Sequence, residues 1–297
     1  MEIPGLEREI RVDVVAHTDV GRRRGENQDA FLLSDLTHGG DPPATLGQGP
    51  TVVSSPDTFP LGPKGALLAV ADGMGGAAEG ALASRMALES FFEAFAALWL
   101  QDRVVTPERF SEGLRRAAEE ANGRVWEASR TPEREGMGTT LTAVGLLGSF
   151  AYLAQVGDSR AYLLRGGGLT QLTRDQSVVQ ELMDAGQMSV EEAGRSLQRN
   201  VLLQALGVEP QVSVELTYQP IRRGDVLLVC SDGLHGVVGD GGIERSLREA
   251  ESLRAAAAEL VTAANDMGGP DNITLTVARL AGEGLPLPGT DDEVPAG

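Results

Sequence analysis

Apolar, strand-like runs in this chain repeatedly meet an aspartate set beside glycine or asparagine, and that recurrence constrains the fold more than any other feature. Ala66-Leu67-Leu68-Ala69-Val70 runs to Asp72-Gly73, Val226-Leu227-Leu228-Val229-Cys230-Ser231 runs to Asp232-Gly233, and Gly269-Pro270-Asp271-Asn272 opens Ile273-Thr274-Leu275-Thr276-Val277. Short apolar runs bounded by glycine read as buried strands, so each aspartate is expected where a strand stops or starts. Asp158, in Val156-Gly157-Asp158-Ser159-Arg160, ends another such run, and Asp29 opens one. A lone strand-end aspartate is more often a turn former than a ligand. Five of them weaken that reading, because packed sheets can gather strand ends at one edge. Clustered carboxylates repel unless a proton or a cation offsets them, and hard divalent ions take oxygen donors of this kind.

The rest of the chain supplies the sheets. Residues 10–17 alternate apolar and polar, residues 18–28 read as a turn, and 29–34 as a second strand. Residues 38–64 are rich in glycine and proline and are expected to form a long, disordered surface loop. Two helices should follow, over 79–100 and from the Thr106-Pro107-Glu108 start signal onward. Strands over 139–147, 150–156, 161–164 and 169–172 have the spacing of an antiparallel meander. Residues 175–209 read as a mostly helical insert, with a capping box at Ser189-Val190-Glu191-Glu192. Strands over 211–219, 226–231 and 273–280 and a helix over 253–266 complete a domain spanning 1–281, and 282–297 form an acidic Gly/Pro tail expected to be disordered. Strands grouped apart from helices indicate α+β architecture with antiparallel sheets.

Charge and rare residues exclude several functions. Lys+Arg number 25 against 43 Asp+Glu, a formal charge of -18, which disfavours nucleic acid and anionic membrane surfaces as partners. Lys64 is the only lysine, so no Walker A or Schiff-base lysine is available elsewhere. The single cysteine, Cys230, cannot form an internal disulfide, and a cysteine-phosphatase loop would need arginine where Gly236 stands. His17, His38 and His235 fit no HExxH or paired metal-ligand spacing, and each reads as a surface or strand-end residue. No apolar run reaches the roughly 20 residues of a membrane span, and the N-terminus lacks signal-peptide order, so a soluble, cytoplasmic monomer is expected.

Six motifs in order give the chain a resemblance to the metal-dependent protein serine/threonine phosphatases of type 2C, the PPM family, in the form of its bacterial members. They are Arg24-Gly25-Glu26-Asn27-Gln28-Asp29, Asp72-Gly73-Met74-Gly75-Gly76, Gly138-Thr139-Thr140, Gly157-Asp158-Ser159-Arg160, Ser231-Asp232-Gly233 and Asp271-Asn272-Ile273-Thr274. The resemblance implies two antiparallel sheets packed as a sandwich with helices on both outer faces. It implies a binuclear Mn2+ or Mg2+ centre, with a possible third ion, at which a metal-activated water hydrolyses phosphoserine or phosphothreonine. Carried over by position, Asp72 bridges both ions, Asp232 and Asp271 hold the first, and the Gly73 carbonyl holds the second with Asp29 nearby through water. Asp158 with Asp232 matches the third-ion site, and Arg24 matches the phosphate-binding arginine, whose planar fork suits bidentate contact.

The resemblance also has departures. Met74 stands where some members have a proposed general-acid histidine, and Gln28 where others have glutamate, which suggests a more hydrated second ion. Residues 175–209 match the family's flap, which opens here Asp175-Gln176-Ser177. The implied partners are phosphoproteins, bacterial-type Ser/Thr kinases and their substrates. The alternatives are a dedicated regulatory phosphatase acting on an anti-sigma-factor antagonist, or a pseudophosphatase binding module.

Overall fold

The computed structural model describes residues 9–37, 45–49, 51–53, 57–101 and 104–289. Its strands form two antiparallel sheets. The first runs, in spatial order, β11 (Gly168–Gln171), β10 (Arg160–Arg165), β13 (Val226–Cys230), β14 (Ile273–Ala281), β1 (Arg11–Asp19) and β4 (Thr51–Val53), with β5 (Asp57–Pro60) also on β1. The second runs β12 (Glu215–Pro220), β9 (Phe150–Val156), β8 (Leu141–Leu147), β6 (Ala66–Met74), β2 (Asp29–Asp35) and β3 (Thr45–Gly47), with β7 (Gly138–Thr139) on β6. Helices α1 (Ala77–Trp99) and α2 (Pro107–Ser129) cover the second sheet, and α5 (Asp232–Glu249) and α6 (Leu253–Asp266) cover the first. Short helices α3 (Val178–Asp184) and α4 (Val190–Arg195) lie between β11 and β12.

Period-two alternation sorts the apolar residues into three layers and thereby aims the site. Along β6, Leu67, Ala69 and Ala71 join Phe91, Phe95 and Phe110 of the helices, whereas Leu68 and Val70 join Phe31, Leu227 and Val229 between the sheets. Asp72 continues the second series, and Asp29 precedes Phe31 by two. Both carboxylates therefore belong to the inter-sheet face, at the end where the apolar filling stops. The helix layer is anchored by aromatics: Phe110 meets Phe95 and Trp99 edge-to-face at centroid distances of 5.3 and 5.0 Å, each such pair contributing about 0.5–1.5 kcal/mol beyond burial. The α2 start follows its sequence signal, since Thr106 accepts from Arg109 N–H and proline occupies the first turn.

Several local expectations change. β6 does not stop before Asp72; it runs to Met74, because Asp72 pairs with Asp29 and Gly73 and Met74 pair with Thr139 and Gly138. The expected strand over 139–147 divides accordingly, β7 turning to β6 while β8 stays in the main ladder. Within 38–64, the described parts carry β3, β4 and β5 paired to β2 and β1, their short runs extending existing sheet edges; residues 38–44, 50 and 54–56 lie outside the described residues. The 175–209 segment is less helical than expected, since only α3 and α4 form and the return limb instead bridges Ser177 to Leu202 and Thr139 to Leu206. The Ser189–Glu192 capping box is present.

Helix α5 follows β13 directly where no helix is expected from sequence, with Gly233, Gly236, Gly239, Gly241 and Gly242 in it and a kink at Gly239. Residues 282–289, expected to belong to a loose tail, bury Leu285 at 1% exposure in the inter-sheet core, and Arg223 N–H donates to Pro286 O at 2.9 Å. His17 and His235 are buried and not surface residues, and His38 lies outside the described residues. Cys230 is buried in the core beneath α5 and α6.

Candidate metal centre

Asp29 and Asp72 are opposed partners across β2 and β6, and the second sheet thus delivers two carboxylates side by side. Asp29 is 1% exposed and accepts from Ser231 Oγ at 2.7 Å, a bond reaching across from the first sheet. Burial pushes the Asp29 carboxyl up to about 7, with Asp232 and Asp271 adding repulsion and the hydroxyls of Ser231 and Thr274 opposing the shift. Asp72, half-buried, is raised well above the ordinary carboxylate range, first by burial and then by Asp29, Asp232, Asp158 and Asp271. Its backbone is fixed by the Gly138-Thr139-Thr140 segment. Thr140 Oγ1 accepts from Asp72 N–H at 2.9 Å, and Thr139 Oγ1 donates to Asp72 O at 2.8 Å. At Gly73 a Cβ would lie 2.0 Å from the Gly80 carbonyl oxygen, so only glycine lets α1 close against this strand end.

Asp232 is the first residue of α5, immediately after β13. Burial raises its carboxyl, followed by repulsion from Asp271, while a hydrogen bond with Asp72 opposes the rise. Asp158 lies in the β9–β10 connection that crosses between the sheets. Burial pushes it up to about 8, with Asp232 and then Asp175 adding to the shift. That connection is fastened twice: Gly157 and Gln176 exchange hydrogen bonds, Gly157 N–H to Gln176 Oε1 at 2.8 Å and Gln176 N–H to Gly157 O at 3.0 Å, while Arg160 holds Asp175 with its fork at 2.8 and 2.7 Å. His235 Nε2 lies 3.1 Å from Asp158 O, and burial first, then Arg160, lowers its pKa well below the usual value. A neutral ring donating to that carbonyl follows.

Asp271 precedes β14 and is gripped by Arg24, whose Nη2 donates to Asp271 Oδ2 at 2.6 Å. This hydrogen bond is the main reason the guanidinium is raised, and Asp271, Asp72 and Asp232 add attraction. The partner lies 247 residues away in the chain, just ahead of β14. Asn272 underlies the junction, its Oδ1 accepting from Gln28 N–H at 2.9 Å. Gln28 itself is engaged elsewhere, its Nε2 donating to Gly76 O at 2.9 Å ahead of α1.

Asp29, Asp72, Asp158, Asp232, Asp271 and Arg24 thus converge electrostatically at one end of the inter-sheet space. Among the described residues no three of His, Cys, Asp or Glu form a group already shaped to hold an ion. Protein partners engage the carboxylates instead: Arg24 on Asp271, Ser231 on Asp29, and Asp72 against Asp232. The donor set nevertheless fits hard divalent ions. Its side-chain donors are all carboxylate oxygens, and their mutual repulsion with burial is what a divalent cation relieves. Sequence reasoning missed Ser231, Thr274, Asn272, Gln176 and His235 as supports. Ser231 and Thr274 left a signal, being polar residues at positions whose alternation points inward.

The family described as Protein phosphatase 2C matches residues 58–275. Over 215 residues the chain is 40% identical to the "Serine/threonine phosphatase stp" of Listeria welshimeri, covering 72% of this chain and 84% of that relative. Among solved structures it is similar to the S. agalactiae serine/threonine phosphatase, with 30% identity, a TM-score of 0.77, and 90% of this chain and 99% of that one covered. It is likewise similar to the catalytic domain of the serine/threonine protein phosphatase PstP in complex with two manganese ions, with 33% identity, a TM-score of 0.71, and coverage of 92% and 99%.

Proposed function

The chain belongs to the protein phosphatase 2C family, and from that premise we propose that it is a metal-dependent serine/threonine protein phosphatase opposing bacterial-type Ser/Thr kinases. The observation that carries the reading is the delivery of Asp29 and Asp72 from one sheet, and Asp232 and Asp271 from the ends of strands in the other, to one end of the inter-sheet space. Buried carboxylates that raise one another are unfavourable as structure and suited to holding cations. Asp72, Asp232 and Asp271 with the Gly73 carbonyl would hold two Mn2+ or Mg2+ ions, Asp29 would act through water, and Asp158 with Asp232 would serve a third. When bound, such ions supply a nucleophilic water near neutral pH and neutralise charge on a phosphoryl group.

The chain's own groups do the rest. Arg24, half-exposed beside Asp271, presents a planar fork to phosphate oxygens and orients the phosphoryl group. Thr139 and Thr140 keep Asp72 in register. Cys230 is buried with its thiol pushed up by that burial, which removes it as a nucleophile and favours direct hydrolysis without a phosphoenzyme. Met74 offers no proton to the departing serine or threonine oxygen. Residues 175–209 are joined to the Asp158 connection through Gln176 and Asp175, so this segment would meet the protein substrate as a flap. Among the described residues no helix is long and apolar enough to cross a membrane. The test is phosphate release from a phosphothreonine peptide and from an autophosphorylated bacterial-type kinase, with p-nitrophenyl phosphate alongside. Hydrolysis of the small ester with neither phosphoprotein substrate touched would contradict the protein-phosphatase reading.

A further inference from the structure

The loop that carries Arg22, Arg23 and Arg24 is clamped to the candidate centre. Asn272 Nδ2 donates to the carbonyls of Val20 at 2.9 Å and Glu26 at 3.0 Å, fixing the loop at both ends. The N–H groups of Arg22 and Arg23 both donate to Gly269 O, at 2.9 and 3.2 Å. Gly21 has φ 78°, and a Cβ there would sit 2.2 Å from the Asp271 carbonyl oxygen, so the loop lies directly on the backbone that bears Asp271. These contacts use only backbone atoms of Arg22 and Arg23, which leaves their side chains for another purpose.

Arg24 turns into the carboxylates; its two neighbours do not share that task. Arg22 and Arg23 are exposed, and among the described residues neither has an ion-pair partner, although acidic residues number 43 against 25 basic ones. The Arg22 stem runs along Gly269, where an added Cβ would meet Arg22 Cγ at 2.8 Å. A chain of formal charge -18 repels anionic peptides over most of its surface, and this fixed cationic rim offsets that repulsion at one place. Extended peptide advances about 3.3–3.6 Å per residue. Two residues on either side of a phosphorylated residue held at Arg24 lie about 7 Å from it, within the roughly 8 Å over which charges act at physiological salt.

We propose that Arg22 and Arg23 select phosphoprotein segments in which anionic groups, carboxylates or a second phosphate, flank the phosphorylated residue. The inference rests on the phosphatase reading of the same site and names its substrate class. Guanidinium groups suit either anion, and preorganisation by Asn272 and Gly269 reduces the ordering that binding would otherwise require.

The test uses matched phosphothreonine peptides flanked by glutamate, by a second phosphothreonine, by alanine or by lysine, with the full chain and Mn2+ at low salt. Wild type should prefer the glutamate and doubly phosphorylated peptides over the alanine peptide by about five- to tenfold in kcat/KM, mainly through KM, and lose the preference at high salt. The Arg22→Ala/Arg23→Ala double variant should bring that ratio near one, Arg22→Lys/Arg23→Lys should keep most of it, and Arg22→Glu/Arg23→Glu should favour the lysine peptide. A preference for the doubly phosphorylated peptide alone would assign the second phosphate as the recognised group, and equal preference would assign anionic charge in general. Fluorescence anisotropy of the same labelled peptides reads the preference without turnover. Absence of hydrolysis of every peptide would therefore count against the phosphatase reading, while equal affinity for alanine and anionic peptides, or a ratio unmoved by charge reversal, would overturn this inference.

Discussion

Asp29 and Asp72 face each other as directly opposed residues of the antiparallel β2–β6 pair, and Ser231 of the other sheet closes onto Asp29 at 2.7 Å. Like charges directly opposite destabilise a sheet, so in the metal-free protein this arrangement opposes folding. Replacing Asp72 by asparagine keeps the shape and removes the charge. Asp72→Asn should raise the Tm of metal-free protein by a few degrees and lower turnover by more than about a hundredfold at saturating Mn2+. Asp232→Asn and Asp271→Asn should likewise lose turnover while folding normally. Near wild-type kcat in any of the three would remove that residue from the ligand set.

The same carboxylates give metal-free protein a pH signature. Asp29 is pushed up to about 7 and Asp158 to about 8, both above the unfolded value near 3.9. An acid whose folded pKa is raised contributes no penalty while protonated in both states, below about pH 4, and destabilises the fold progressively as pH rises through its folded value. Stability of chelated protein should therefore fall between about pH 5 and 8.5, and saturating Mn2+ should flatten or reverse the trend. Denaturant midpoints across that range check it; a metal-free protein that gains stability over the same interval would contradict the burial of these groups.

Arg24 spans two roles that kinetics can separate. Its pair with Asp271 is partly exposed, 47% and 27% for the two side chains, and as an ion pair it stabilises the fold by only about 0–1 kcal/mol. As a phosphate contact it acts in both ground and transition states, so Arg24→Ala should raise KM for phosphopeptide and also lower kcat, with lysine restoring activity only in part. Wild-type kcat/KM at low salt, with only a small loss of stability, would reduce Arg24 to a structural partner of Asp271.

Much of this site is legible in the chain because its key residues sit where two local signals coincide. At Asp72 a buried apolar run meets Gly73, and at Asp271 a glycine-proline turn meets a strand, so type and position are both marked. The expected sheets and helix layers follow from the same alternation, visible in Leu67 and Leu68 facing opposite layers. Helix α5 is not legible, since five glycines oppose helix formation and only packing of Leu234, Ile243 and Leu247 under the first sheet overrides them. Asn272 and Gln176 are also hidden from sequence. Their work is to satisfy backbone groups of segments distant in the chain, at Val20, Glu26 and Gly157, and only the tertiary arrangement brings those together.

The segment after β14 gives a further test. Leu285 is 1% exposed among inter-sheet residues, and Gly284 N–H donates to Glu9 O at 3.1 Å. Leu285→Ala should destabilise the protein by about 2–5 kcal/mol, and truncation after residue 281 should lower the denaturation midpoint by at least as much relative to truncation after 289. Equal midpoints for the 281 and 289 truncations would show that Leu285 adds nothing to the core.

The central claim is that the aspartates gathered between the sheets form a divalent-metal centre that hydrolyses phosphoprotein. The most direct test is phosphate release from a phosphothreonine peptide by verified metal-free protein as Mn2+ is titrated in, with bound Mn2+ counted on the same samples. Activity should be absent without metal, rise with occupancy, and plateau once about two ions are bound; full activity in excess chelator, or Mn2+ binding that leaves hydrolysis unchanged, would contradict it.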